Sequence, residues 1–399
     1  MGIKGLTKLI GDNAPRAINT NEIHSLFGRK IAIDASMCIY QLLVAVRVGA
    51  DNLTNDEGEV TSHLNGLFYR TIRLLEIGIK PVYVFDGAPP TMKSGELTKR
   101  AEAKKAAEEA AKKAREEGDL EMAEKFSRRV NRVTPAMIDS CKRLVRAMGV
   151  PAVEAPCEAE AQCAELVKNG DLFATASEDM DSLTFGTSRL IRYLWAGTAS
   201  TASKKGIKPT EFALDVVLQD LDLTLPQFID LCILCGCDYV DGIKGVGVVK
   251  ALNLIRKHGD LQKVVDTLKK EKSYTVPDPY PVEVLRQMFV EPIVTPAKDV
   301  VLKWKRPDVN AIKKLMIEEN QFDSAKIENG IKRLLAAKQK TSQVRVDSFF
   351  KRATAPNEAE RAAKRKAVAE TNKKSKKSKT QKSSTSTKGR AAKAKKDVT

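Results

Sequence analysis

The sequence predicts an α/β fold: a central, mostly parallel sheet flanked by helices, followed by a mainly helical second half. Two short apolar runs lead there, residues 30–33 and 81–85, ending at Asp34 and Asp86. Between them Leu64, Leu67, Phe68, Ile72 and Leu75 recur at helical spacing, giving an amphipathic helix over residues 62–77. Strand, helix and strand in that order make two parallel neighbours in one sheet.

Further strands are expected at residues 152–154, 172–176 and 190–194, with helices at 135–148 and 156–168 between them. Beyond about residue 210 the pattern is helical. Residues 98–119 depart from core logic, because they contain no Leu, Ile, Val, Met or aromatic side chain. Ala, Lys, Arg and Glu are strong helix formers, yet here they leave no broad apolar face to dock. The reading is a helix that projects from the body as an arch or lid; the alternative is a solvated surface helix.

Hydrophobic residues make up 42% of the 399, enough for a real core. No run of about 18 apolar residues suggests a membrane span, and the N-terminal Met1-Gly2-Ile3-Lys4 has no secretory apolar stretch. Leu6 stands where a myristoylation signal needs Ser or Thr. Seven cysteines without a disulfide framework fit a reducing compartment. Cys232, Cys235 and Cys237 cluster, but no histidine is near in sequence to complete a zinc site, so they read as reduced core cysteines.

Net charge is +17, and residues 351–399 hold +13 of it. That segment is rich in Lys, Ser, Thr and Ala, with no aromatic residue after Phe350, so it cannot bury enough apolar surface to fold alone. Residues 364–366 and 373–379 suit nuclear import or a nonspecific polyanion contact. A solubilising tail is the plainer alternative.

The placement of acids is the most informative feature. Asp34 and Asp86 fall just past the C-terminal ends of two parallel strands, the edge where open α/β sheets put their sites. Glu158 and Glu160 follow Pro156 in a first helical turn; Asp179 and Asp181 follow the strand at 172–176. Asp238 precedes a Gly-rich turn. A single Asp after a strand is usually a helix cap. If the strands are parallel neighbours, seven carboxylates can converge on one edge, where they would repel one another unless divalent cations relieve it. An all-oxygen donor set with no His or Cys favours Mg²⁺ or Mn²⁺ over zinc. Two such ions suit phosphodiester hydrolysis without a side-chain nucleophile. Glu158 and Glu160 are the awkward pair, since residues two apart on a helix point nearly opposite ways.

Other segments read as nucleic-acid contacts. In residues 238–251, Gly245 and Gly247 let a backbone approach a phosphate at a helix N-terminus, and Lys244 and Lys250 add charge. This is a helix–hairpin–helix type of turn, or simply a helix–helix connection. Lys93 and Arg100, seven apart, share a helix face if the helix starts near Lys93, and could reach a phosphate over the acids. Tyr40 either stacks on a base or is a half-buried helix residue. Gln343, Val346, Phe349 and Phe350 have the spacing of a short turn that inserts into a partner's groove, or that docks back on the body.

Six stretches, Met1–Leu6, Ile31–Met37, Val84–Gly87, Ala155–Ala161, Glu178–Leu183 and Gly236–Tyr239, resemble in order and form those of the structure-specific 5′ nuclease family that includes XPG. The chain resembles that family over roughly residues 1–335. The resemblance implies a nuclease domain over 1–335, with an N-terminal region at 1–107, an arch at 93–132 and an internal region at 133–257. It further implies a two-Mg²⁺ mechanism, with Asp34, Asp86, Glu158, Glu160, Asp179, Asp181 and Asp238 as direct or water-mediated ligands. Lys93 and Arg100 would then act on the scissile phosphate, and the arch would admit a single-stranded 5′ flap. The Gly-rich turn would hold duplex DNA, with a monovalent cation as a candidate there. Residues 343–350 are similar to the motif that binds the sliding clamp PCNA, implying a monomer with up to three copies per clamp trimer. A nuclear location follows, with nucleolus and mitochondrion also open. Val346 departs from the usual Leu, Ile or Met of that motif, and residues 196–206 are somewhat long. A non-catalytic DNA-junction scaffold is the competing class, and carboxylates that repel phosphate without metal argue against it.

Overall fold

Alternation along the two central strands decides how the sheet is covered. Ile31, Ile33, Tyr83 and Phe85 enter one core cluster, whereas Ala32, Val82 and Val84 enter another. Successive residues of a strand face opposite ways, so a sheet apolar on both faces needs helices on both. The computed structural model describes residues 2–48, 51–130, 133–195, 207–271 and 273–339. Its main sheet comprises β1 (Ile18–Thr20), β2 (Lys30–Asp34), β3 (Lys80–Phe85), β4 (Ala152–Glu154), β5 (Ala174–Ala176), β6 (Arg189–Arg192) and β7 (Thr210–Ala213). The order across it is β1-β7-β6-β5-β2-β3-β4.

The five strands from β6 to β4 are parallel, with Ile31 opposite both Pro81 and Ala174. β7 runs antiparallel to β6, and β1 antiparallel to β7. The chain builds outward from β2 through β3 to β4, then returns to β5 on the other side of β2. That reversal opens a crevice at the C-terminal ends of β2 and β5, where open α/β sheets bind ligands.

The helices are α1 (Leu6–Asn13), α2 (Ala35–Ala45), α3 (Ser62–Ile77), α4 (Ser94–Glu116), α5 (Leu120–Val130), α6 (Pro135–Ala147), α7 (Ala159–Lys168) and α8 (Asp181–Thr184). After these come α9 (Leu214–Asp220), α10 (Leu225–Cys235), α11 (Val248–His258), α12 (Leu261–Lys270), α13 (Val282–Val290), α14 (Val309–Lys313) and α15 (Ser324–Gln339). Sequence signals fix several starts. Thr134 caps α6 with Pro135 in its first turn, and Thr224 with Gln227 forms a reciprocal capping box on α10. One sheet face carries α2, α3, α6 and α15 through Leu42, Phe68, Leu144 and Leu334, while α7 covers the other through Cys163 and Leu166. A third cluster joins α1 to the helical second half through Leu6, Leu9, Phe228 and Leu231. Gly330 lets α15 cross α3 closely, since a Cβ there would fall 2.4 Å from the Phe68 ring.

The α/β fold with a helical second half is as expected, and the expected strands lie within two residues of those seen. Two findings differ. The antiparallel strands β1 and β7 are three and four residues long, too short for alternation to announce them. The arch is also not a lone helix. α4 and α5 form a hairpin in which Ala107, Ala111, Ala114 and Ala123 are buried. Alanines at i, i+4 and i+7 make a narrow stripe, and a partner helix can approach it closely. Cys232 and Cys235 are free and buried. No helix among the described residues is long and apolar enough to cross a membrane. Residues 196–206, the motif containing Gln343, Val346, Phe349 and Phe350, and the tail from 351 lie outside the described residues.

Candidate active site

The crevice at the C-terminal edge of β2, β3 and β5 collects the seven acids. Asp34 ends β2 and caps α2, accepting from the Met37 amide at 3.1 Å through Oδ1; the Ser177 hydroxyl donates to its Oδ2 at 3.2 Å. Asp86 follows β3 and accepts the Ala159 amide at 2.8 Å, joining β3 to the start of α7. Asp179 and Asp181 follow β5: the Asp179 amide donates to Ser177 Oγ, and the Asp181 amide to Asp179 Oδ1, each at 3.1 Å. Glu158 is the extended residue before α7, not part of its first turn. That placement resolves the geometric conflict with Glu160, because only Glu160 follows helical direction.

Asp34, Glu158, Asp179 and Asp181 are all less than 10% exposed. Burial pushes Asp34 up to about 7, with Asp86 and then Asp179 adding repulsion against the opposing Met37 and Ser177 hydrogen bonds. Glu160 is raised well above the carboxylate range by burial, then by Asp179, Asp34 and Asp181. Asp181 is raised by burial, then by Asp179 and Asp238. These repulsions run from Asp86 through Asp34, Asp179 and Asp181 to Asp238, so the acids share one field. Each raised acid would give up its proton readily only to gain a positive neighbour.

The protein supplies two such neighbours from the arch. Lys93 Nζ lies 2.6 Å from Glu158 Oε1 and 3.0 Å from Asp238 Oδ2. Arg100 Nη2 lies 2.9 Å from the same Asp238 oxygen. Burial opposes the Lys93 charge, but Glu158, Glu160 and Asp238 outweigh it and hold the ammonium above its usual range. Lys93 precedes α4 and sits in a 3₁₀ turn (Thr91–Lys93), so it shares no regular helix face with Arg100; both still reach Asp238.

Seven carboxylates against two cations leave an excess that a divalent ion would offset. No three His, Cys, Asp or Glu side chains among the described residues are drawn together tightly enough to make a ready cage. The donor chemistry nonetheless fits a hard cation: the acids supply oxygen, and burial keeps the nearby thiols protonated. Cys163 lies beside Asp34 and Glu160, and Cys157 beside Glu158; both thiols are raised by burial and by those acids. Two thiols thus stand close to the acids without joining the donor set, and the preference for oxygen ligands stands.

Several contacts escaped sequence reasoning. Gly2 sits against the acids, where a Cβ would fall 1.9 Å from Asp179 Oδ1 and 2.4 Å from Asp181 Oδ1. The Ile3 amide donates to Asp181 Oδ1 at 3.0 Å. The Tyr239 hydroxyl donates to Glu158, completing that carboxylate's second oxygen. Lys99, exposed on α4, pairs with Asp241 at 2.6 Å. Only adjacency to Asp238 and Arg100 could have marked Tyr239 and Lys99.

The Gly-rich turn lies beyond Asp238. Gly247 precedes α11 and Gly245 has φ +86°. Lys244, Gly245, Gly247 and Lys250 are exposed, while Ile243 and Val246 anchor the turn inward. Lys250 Nζ sits 4.3 Å from the Tyr274 ring centroid and hydrogen-bonds its hydroxyl. Tyr40 is half-buried on α2.

A doubly wound sheet with clustered carboxylates at its switch point, spanned by a cationic helical arch, defines a metal-dependent nuclease class. Family models agree, matching the XPG N-terminal domain over residues 1–107 and the XPG I-region over 149–238. The chain is 53% identical to a protein named flap endonuclease 1 from Drosophila grimshawi, over 94% of this chain and 95% of that one. Flap endonuclease-1 from Methanococcus jannaschii superposes with a TM-score of 0.63 at 37% identity, covering 82% of this chain and 98% of that one. The catalytic core of Rad2 in complex with a DNA substrate superposes with a TM-score of 0.63 at 25% identity, over 84% and 100%. The chain belongs to the flap endonuclease 1 family.

Proposed function

We propose that the protein is a structure-specific 5′-flap endonuclease with 5′–3′ exonuclease activity, hydrolysing phosphodiester bonds at the base of flaps. One observation carries this reading: seven carboxylates line one sheet edge, and the arch lays Lys93 and Arg100 directly across them. Flap removal during Okazaki-fragment maturation and long-patch base excision repair is the corresponding role. The seven acids hold two Mg²⁺ ions, for which Mn²⁺ substitutes. When bound, the ions supply an activated water and positive charge beside the leaving oxygen.

The remaining steps belong to the chain's own groups. Lys93 and Arg100, which reach across Glu158 and Asp238, would bind the oxygens of the scissile phosphate. Tyr239 and the Ile3 amide keep Glu158 and Asp181 oriented. The turn at 238–251 presents Gly245, Gly247 and the α11 N-terminus to a duplex backbone, with Lys244 and Lys250 beside it and a monovalent cation as a further ligand there. Tyr40 stacks near the cut. The flap strand passes beneath the α4–α5 hairpin. Gln343, Val346, Phe349 and Phe350 bind the sliding clamp PCNA, one protein monomer per clamp subunit, and the basic tail directs the chain to the nucleus.

Asp181→Ala tests the site. It removes an acceptor for the Ile3 amide and one carboxylate, so Mg²⁺-dependent cleavage of a 5′-flap DNA should fall at least about a hundredfold, the scale of losing one strong electrostatic stabiliser. Binding of the same DNA should remain. Cleavage near the wild-type rate would sink the metal assignment.

A further inference from the structure

Beside the foot of the arch lies a second concavity, a cleft of about 250 Å³ lined by Pro90, Cys157, Glu158, Met288, Pro292 and Ile293, among others. It is smaller than the roughly 300–1,000 Å³ of sites for drug-sized ligands. Its walls come from the loop before the arch, the entry to α7 and the end of α13. Ile293 is 67% exposed, an apolar side chain held in solvent at the cleft's lip. Gln287 and Glu291 contribute polar groups on the α13 side.

Two features restrict what fits. Glu158 is a wall of the cleft and also a member of the acidic cluster, so the cleft and the candidate active site are continuous. A strand held at the acids has its adjoining nucleotide within reach. Charge then decides which part of that nucleotide enters. Glu158 and Glu291 stand in the lining, and no Lys or Arg is among the described lining residues. A phosphate would meet two carboxylates. A flat, uncharged ring would meet proline, methionine and isoleucine faces, with carboxylate and amide oxygens at the edge to accept from exocyclic amino groups.

We propose that this cleft seats one unpaired nucleobase of the strand being cut, next to the scissile phosphate. Seating it fixes the strand's path past Glu158 and selects for a strand that is single at that point. The proposal rests on the nuclease reading above, and its test separates the two.

The experiment scans a single abasic nucleotide through the first four unpaired positions of a 5′-flap DNA, under single-turnover conditions with Mg²⁺. One position should lower wild-type cleavage or binding by about fivefold, the low end for losing base stacking on a protein surface. The exposed pair Gln287→Ala/Ile293→Ala should lower the rate on the intact flap to a similar degree. It should also show no further loss with the abasic substrate, because base and cleft act as one contact. A 2-aminopurine at the same position should be less fluorescent when bound to wild type than to the variant. Uniform rates at all four positions, or additive losses in variant and abasic DNA, would overturn the cleft assignment while leaving the nuclease reading intact. Failure of the wild type to cut the intact flap would instead refute the reading beneath it.

Discussion

Replacing Asp34 by Asn exposes the tension stored in the acidic cluster. The Asp34 carboxyl is raised from 3.8 to about 7, chiefly by burial and by Asp86. At about 1.4 kcal/mol per pKa unit, keeping it ionised in the metal-free fold costs about 4 kcal/mol at pH 8. The sign follows from proton counts. Between 3.8 and about 7 the folded state holds more protons than the unfolded one, so metal-free stability falls as pH rises through that window. Glu160 and Asp181, also raised, act in the same direction.

Asn is nearly the same shape and keeps an acceptor for the Met37 amide, but Ser177 loses a charged acceptor, worth about 1.5–3 kcal/mol. The variant should therefore gain about 1–2 kcal/mol at pH 8 in a chelator. Less gain, or a small loss, is expected at pH 5, where wild-type Asp34 is mostly protonated. Urea unfolding at both pH values, with chelator and then with Mg²⁺, measures this directly. Mg²⁺ should stabilise the wild type far more than the variant, and the variant should not cleave. An Asn variant destabilised equally at both pH values, and still stabilised by Mg²⁺, would refute the reasoning.

Three further outcomes follow. Lys99→Asp or Asp241→Lys alone should slow single-turnover flap cleavage by up to about fivefold, the upper range of an exposed ion pair. The double swap should recover it, since the pair ties the arch to the Gly-rich turn; no recovery would mean the contact does not position the arch. Phe349→Ala/Phe350→Ala should abolish retention on immobilised PCNA while sparing clamp-free cleavage, and persistent retention would show that the motif is misread. Deleting 351–399 should weaken nonspecific DNA affinity and flatten its salt dependence; an unchanged slope would leave the tail no role in binding.

The sheet was legible because its central strands are buried on both faces and end at conspicuous acids. Residues 30–34 and 80–85 announce themselves by apolar content, and α3 by its spacing. β1 and β7 were not legible, since three or four polar-containing residues carry no period and owe their pairing to tertiary contact. The arch was half legible: composition marks residues 98–119 as a helix off the core, but an alanine stripe looks featureless until its partner helix is seen. Asp34 and Asp86 could be placed on one edge from strand geometry, whereas Asp179, Asp181 and Asp238 rested more on the family resemblance and the geometry of Glu158 and Glu160 was the least secure. The supports of these acids were not legible. Gly2, the Ile3 amide and Tyr239 meet Asp181, Asp179 and Glu158 from far along the chain, and backbone amides leave no trace in residue type. From sequence Glu158 looks helical because Pro156 and the acids after it resemble a first turn, whereas α7 begins at Ala159.

The central claim is metal-dependent cutting chosen by the shape of the DNA, and a matched cleavage panel tests it most directly. The full-length protein is given 5′-flap, 3′-flap, bubble, nicked and blunt duplex DNA of shared sequence, with Mg²⁺ or with chelator. Cleavage at the 5′-flap base should dominate, with slower 5′–3′ removal from the nick, little from the other forms, and none in chelator. Equal cutting of all five DNAs, or cutting that survives chelation, would contradict the account.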